Sequence, residues 1–197
     1  EHHRQSLKIE EEIGNKWGIA MSLGNIGLIY SEKGNYAKSL EYFNQSLKIM
    51  EEIGRKRGIA IILHNIGITY KVQGNYVKAI EYYRQSLKIK EEIGDKSGIA
   101  LSLGNIGEIY FKDGKYTKSI EYLRQSLKIF EEIGSKSNIA ECLNNIGELY
   151  RIQGDSLTAM QNKLSEGKAM YLWNNINENY RISLKFLHRS LTIAEEI

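Results

Sequence analysis

Three separate motifs in this chain recur at one fixed step. Glu-Glu-Ile-Gly stands at 11–14, 51–54, 91–94 and 131–134, Asn-Ile-Gly at 25–27, 65–67, 105–107 and 145–147, and Gln-Ser-Leu-Lys-Ile at 5–9, 45–49, 85–89 and 125–129. The step is 40 residues each time, and the residues between the motifs vary, so compositional bias does not produce it. A period of this length implies one supersecondary unit stacked on its own copies, because a single unit cannot bury its apolar face alone.

Each unit holds two helical patterns. Ile19, Leu23, Ile26 and Tyr30 fall on one face of a first helix. Gly34 follows, where a helix C-terminus favours a residue that tolerates positive φ. Asn35 is placed to cap the second helix, as are Asn75 and Asp155 in their units. Tyr36, Leu40, Phe43, Leu47 and Met50 form the second face, which Gly54 ends; the next helix is expected about four residues later. Gly27, Gly67, Gly107 and Gly147 lie inside first helices, at about 1 kcal/mol each relative to alanine. Small residues in the second helix (Ser39, Ala79, Ser119, then Ser46, Ser86, Ser126) match them, and close approach of the two helices is the expected reason.

Composition fits this reading. Of 197 residues 42% are hydrophobic and 26% charged, as in a globular chain, and proline is absent, as suits helix interiors. The net charge of +3, from 27 basic and 24 acidic residues, argues against a nucleic-acid or membrane-surface binder. No apolar run suggests a bilayer span and no signal-peptide pattern opens the chain. The single cysteine, Cys142, allows no intramolecular disulfide and predicts a reducing, cytoplasmic location.

These residues resemble the tetratricopeptide repeat. Leu23, Ile26, Gly27 and Tyr30 occupy its first-helix signature; Gly34, Tyr36, Ser39, Phe43 and Ser46 occupy its turn and second helix. The fit recurs at Leu63, Ile66, Gly67, Tyr70, Tyr76, Ala79 and Tyr83, and again at Leu103, Ile106, Gly107, Tyr110, Tyr116, Ser119 and Leu123. Tryptophan is missing from the first signature position until Trp173, and the usual terminal proline never appears. The 40-residue unit is similar to the variant in Pins-type adaptors, kinesin light chains and microbial signalling proteins. The resemblance implies an all-α fold, a right-handed α-solenoid of antiparallel helix pairs with an irregular C-terminal end. One array is expected over 1–197: a partial repeat at 1–14, regular repeats at 15–54, 55–94 and 95–134, a degenerate repeat at 135–167, and a fused or capping helix at 168–197.

Both ends depart from the period. Glu1 aligns with Glu41, midway along a second helix, so the chain is expected to be a fragment or to present an open N-terminal face to another molecule. Near the other end, Trp173 to Tyr180 echoes Leu143 to Tyr150, and Arg181 to Phe186 echoes Ala37 to Tyr42 at a step of 144, sixteen short of four full units. No glycine or proline lies between Lys168 and Ile197, which predicts one long helix there. Its distal half would then lack a partner for Phe186, Leu187, Leu191 and Ile193, and a homodimer through 168–197 or the open N-terminal face is the expected remedy.

The candidate site is a ladder of first-helix residues. The resemblance implies that first helices line a concave groove and that Asn25, Asn65, Asn105 and Asn145 grip a peptide backbone, for which an amide has suitable donors and an acceptor; bracing of a neighbouring repeat is the structural alternative. On the same face stand Met21, Gly24, Leu28, Ile61, His64, Ile68, Leu101, Gly104, Glu108, Glu141, Asn144 and Glu148. None is basic, which disfavours a clamp for a C-terminal carboxylate. The start of the groove reads as apolar and its end as acidic, suiting a peptide with apolar anchors and a basic segment. Glu108, Asn144 and Glu148 are assigned to the groove, and His64 to its polar lining. The histidines His2, His3, His64 and His188 show no ligand spacing, so no metal is expected. Gly24-Asn25-Ile26-Gly27 lies within a helix and is no phosphate loop. Cys142 reads as a small apolar filler. No cofactor and no catalytic set are expected. The function expected is a non-catalytic protein-interaction scaffold; the alternative is a regulatory or dimerisation module of a larger signalling protein.

Overall fold

The computed structural model describes residues 2–161 and 166–195. Every element among them is a helix: α1 (His2–Glu12), α2 (Lys16–Glu32), α3 (Tyr36–Glu52), α4 (Lys56–Val72), α5 (Tyr76–Glu92), α6 (Lys96–Lys112), α7 (Tyr116–Glu132), α8 (Lys136–Gln161) and α9 (Glu166–Glu195). They group into two compact units, 1–102 and 103–197, with the division inside α6.

The turn chemistry expected from the glycines is present. Gly14, Gly34, Gly54, Gly74, Gly94, Gly114 and Gly134 adopt φ between 65° and 75°. Asn35 Oδ1 accepts from the Lys38 amide and Asn75 Oδ1 from the Lys78 amide, each at 3.2 Å, satisfying a donor that the first helical turn leaves unpaired. Asp155 does not act this way. It lies inside α8, and its carboxylate accepts from Arg151 and Tyr180 instead. Helices also restart sooner than expected, two residues after Gly54 at Lys56.

In the first unit, α2 pairs with α3 and α4 with α5. Phe43, Ile62 and Ile66 form a buried cluster, flanked by Leu40, Leu47, Tyr70 and Tyr82. The helical glycines make room for a large partner. A Cβ on Gly27 would stand 2.8 Å from the Phe43 ring, and one on Gly67 2.8 Å from the Tyr83 ring. Phe43 and Tyr83 are both 0% exposed. Serine hydroxyls tie the pairs further, Ser46 donating to the Ala20 carbonyl and Ser86 to the Ala60 carbonyl, both at 2.7 Å. Gly67→Ala is therefore expected to destabilise the fold. Its gain in helix propensity, about 1 kcal/mol, is outweighed by overpacking of about 1–3 kcal/mol. A lowered urea midpoint tests this; an unchanged or raised midpoint would show that Tyr83 repacks freely.

The second unit repeats the scheme and then extends it. Tyr110 stacks on Tyr122 at 5.4 Å, and Ser119 donates to the Gly107 carbonyl at 2.8 Å. The fourth pair is α8 with α9. Leu187 faces Gly147 as Leu123 faces Gly107, and Ser190 donates to the Ala140 carbonyl at 2.9 Å. In the regular pairs the serine follows its acceptor by 26 residues; Ser190 follows Ala140 by 50. The irregularity is thus 24 extra residues within one hairpin, not sixteen lost from a further repeat. Both helices lengthen to hold most of them, α8 to 26 residues and α9 to 30. Gly154, at the repeat position where Gly34, Gly74 and Gly114 mark turns, is a buried residue of α8 against Tyr180.

This pairing corrects the expectation that the distal half of α9 lacks a partner. Phe186 stacks with Tyr150 at 6.1 Å, Leu187 packs at Gly147, and Arg189 reaches Glu131 at 2.6 Å. Leu191 alone of the residues named for this purpose stays largely exposed, at 61%. The side chain of Trp173, which carried part of the sequence echo, lies outside the described residues.

Candidate functional site

The predicted ladder stands on first helices, with Asn25 on α2, Asn65 on α4, Asn105 on α6 and Asn145 on α8. Asn25, Asn65 and Asn105 are half-buried; Asn144 and Asn145 are exposed. In the first unit the surrounding face is apolar, with Met21, Leu28 and Ile61 all exposed.

In the second unit the structure brings three of the assigned residues together. Glu108, Asn145 and Glu148 line a cleft of about 350 Å³ between α6 and α8, over Phe111, Leu123 and Leu149. Glu141 and Lys112 also border it, whereas Asn144 does not. The volume suits one or two side chains of an extended peptide. An apolar floor beside an amide and carboxylates can bury a hydrophobic anchor while holding polar groups near its rim.

Charge within the cleft is more balanced than the sequence reading implied. Lys112 pairs with Glu108 at 3.1 Å. Arg151 donates to both carboxylate oxygens of Glu148, at 2.6 and 2.8 Å, and these hydrogen bonds hold the Glu148 carboxyl below its ordinary pKa. Positions 112 and 151 lie one helical turn beyond the glutamates, and their i,i+4 and i,i+3 spacing is the signal that could have found them. Glu141 is exposed.

His64 departs from its assignment. Its ring sits 5.1 Å from that of Tyr83, and its Nδ1 accepts from Lys90 Nζ at 3.3 Å. Lys90 is only 4% exposed and also donates to Ser102 Oγ at 3.1 Å. Burial, then the nearby Lys90 and Lys71 charges, push the imidazole down to about 3. His64 is therefore neutral at ordinary pH and serves as an acceptor for a buried ammonium. Cys142 is buried, 3.6 Å from Ser126 Oγ, and burial raises its thiol pKa, consistent with a filler role.

The class defined by these features is an all-helical array of helix pairs, closed in its second unit by a lengthened hairpin. The chain belongs to the tetratricopeptide repeat family, whose model matches residues 1–52, 18–92 and 98–162. No curated protein matches it. Among solved structures it is similar to the apo form of RapI, at 21% identity and a TM-score of 0.76, covering 99% of this chain and 48% of that one. It is also similar to a Rap protein complexed with competence and sporulation factor, at 15% identity and a TM-score of 0.68, covering 99% and 57%. A putative kinesin light chain from Podospora anserina matches at 15% identity and a TM-score of 0.58, covering 89% and 95%. The chain thus spans about half the length of the two Rap chains. These likenesses establish the fold.

Proposed function

We propose that the chain is a non-catalytic protein-interaction scaffold that takes an extended peptide on its first-helix faces. The observation that carries this reading is the α6–α8 cleft, where Glu108, Asn145 and Glu148 rim an apolar floor. The similar Rap protein solved with competence and sporulation factor gives the reading further support. Apolar residues of the ligand meet Phe111, while Asn145 pairs with its backbone and a cationic residue approaches Glu141. The ligand needs only a modest positive charge, because Lys112 and Arg151 already offset Glu108 and Glu148. A cytoplasmic location belongs to the same proposal, in keeping with a free buried thiol at Cys142. Among the described residues no helix is long and apolar enough to cross a membrane. A homodimer is not part of the proposal, since α9 has its partner in α8.

The test begins by selecting peptides from a displayed random library against the full chain. Calorimetry then compares a selected peptide on the unaltered chain and on Asn105→Ala with Asn145→Ala. Two lost hydrogen bonds of about 1 kcal/mol each predict an affinity loss of about tenfold or more, with helicity retained. Undiminished affinity in a well-folded double variant would remove the asparagines from the site.

A further inference from the structure

The second helices of the regular pairs carry the same residue types at three places. These are Lys38, Glu41 and Gln45 on α3, Lys78, Glu81 and Gln85 on α5, and Lys118, Glu121 and Gln125 on α7. The register set by Leu187 and Ser190 puts Ile182, Lys185 and Arg189 at those places on α9. A face with one positive and one negative charge elsewhere carries two positive charges and an apolar residue here.

The change alters local packing as well. Lys38, Lys78 and Lys118 lie over Tyr30, Tyr70 and Tyr110, at 5.1–5.6 Å from the ring centroids. In the fourth pair Ile182 replaces that lysine, and Arg124 of α7 lies 5.6 Å from the centroid of Phe186. Arg124, Ile182, Lys185, Phe186 and Arg189 together line a cleft of about 330 Å³, with no acidic side chain in its wall. Arg189 is partly offset by Glu131, and Arg124 donates to the Tyr150 hydroxyl at 3.1 Å. Lys185 is exposed at the rim.

We propose that this cleft is a second docking site, specific for an acidic peptide segment with an apolar side chain beside its carboxylates. The carboxylates meet Lys185 and the guanidinium groups, and the apolar side chain rests on Phe186 and Ile182. Charge complementarity selects the acidic partner. The size of the cleft selects a peptide over nucleic acid, which is tracked by an extended basic stripe rather than by three cations around one hollow. The aromatic floor adds contact area that a bare anion does not use.

The experiment is a solution NMR titration of the full chain with the blocked tripeptide Glu-Leu-Glu. Saturable shifts of the Phe186 ring and of the Arg124 and Arg189 side-chain N–H signals are expected, with no response to blocked Lys-Leu-Lys. The variant Lys185→Glu with Arg189→Gln installs the residue types of Glu121 and Gln125, which α7 already tolerates. It should keep its helicity and bind the tripeptide at least about tenfold more weakly. Equal binding by this variant, or no saturable shifts in the unaltered chain, would overturn the proposal. Equal shifts with inorganic phosphate would reduce the cleft to a simple anion site and also overturn it. So would a response confined to oligothymidylate or to vesicles containing phosphatidylserine. The double variant Asn105→Ala with Asn145→Ala should bind the tripeptide normally, which separates this result from that of the α6–α8 cleft.

Discussion

Replacing Lys90 with methionine should stabilise the protein at neutral pH and flatten its stability profile in alkali. Lys90 stands where Met50 and Phe130 stand in the neighbouring units, and those residues are 1% and 3% exposed. Burial pushes the Lys90 ammonium down to about 8 from its ordinary 10.5, against an opposing pull from Asp95. The unfolded chain holds this proton more tightly than the folded one. Below pH 8 the lysine is charged in both states, and the folded state bears the full desolvation penalty. Between pH 8 and 10.5 the folded state loses the proton first, so stability rises with pH by about 3 kcal/mol. Methionine removes the penalty but leaves His64 Nδ1 without its donor, at about 1 kcal/mol, for a net gain of about 2 kcal/mol at pH 7. Urea midpoints at pH 7 and pH 10 for both proteins measure it. Parallel pH profiles would show that Lys90 is solvated in the folded state. His64 adds an acid limb of the same sign. With its folded value near 3 against 6.5 unfolded, stability should fall as pH drops from 6.5 to 3.

Truncation after Tyr180 should cost far more helix than the residues it removes. The deleted segment supplies Phe186 against Tyr150, Leu187 against Gly147 and the Ser190 bond to Ala140. Without it α8 loses its partner along the face that carries Ala140, Gly147 and Tyr150. Each large apolar side chain uncovered there costs about 1.5–3 kcal/mol, enough together to unfold α8. Circular dichroism should record a loss larger than the deleted segment's own contribution, and hydrogen exchange should find α8 unprotected. A truncated chain with α8 fully protected would mean that α9 is an accessory helix, not the closing member of the fourth pair.

The regular repeats were legible because each structural demand leaves a mark at a fixed step. Glycine appears where φ is positive, asparagine before α2, α3 and α5, and an apolar face at the helical period. The fourth pair was harder to read for a physical reason. The residues that lengthen α8 and α9 are helical on both sides of the hairpin, and the sequence echo at Trp173 to Tyr180 imitates a new first helix. Gly154 kept the residue type of a turn while serving as a close-packing position against Tyr180. Glu108, Asn145 and Glu148, placed on one face by the sequence, line one cleft. Lys112 and Arg151 were missed because they lie one turn further along and reach back through long side chains. The departures of His64 and Lys90 from the repeat are both visible in the sequence, but their pairing was not read because Lys90 belongs to the following helix.

The most direct test of the scaffold account is amide hydrogen exchange of the full chain with and without a library-selected peptide. The account predicts added protection concentrated on α6 and α8 around Glu108, Glu141, Asn145 and Glu148, lost in Asn105→Ala with Asn145→Ala. Protection absent from α6 and α8 with every selected peptide would contradict it.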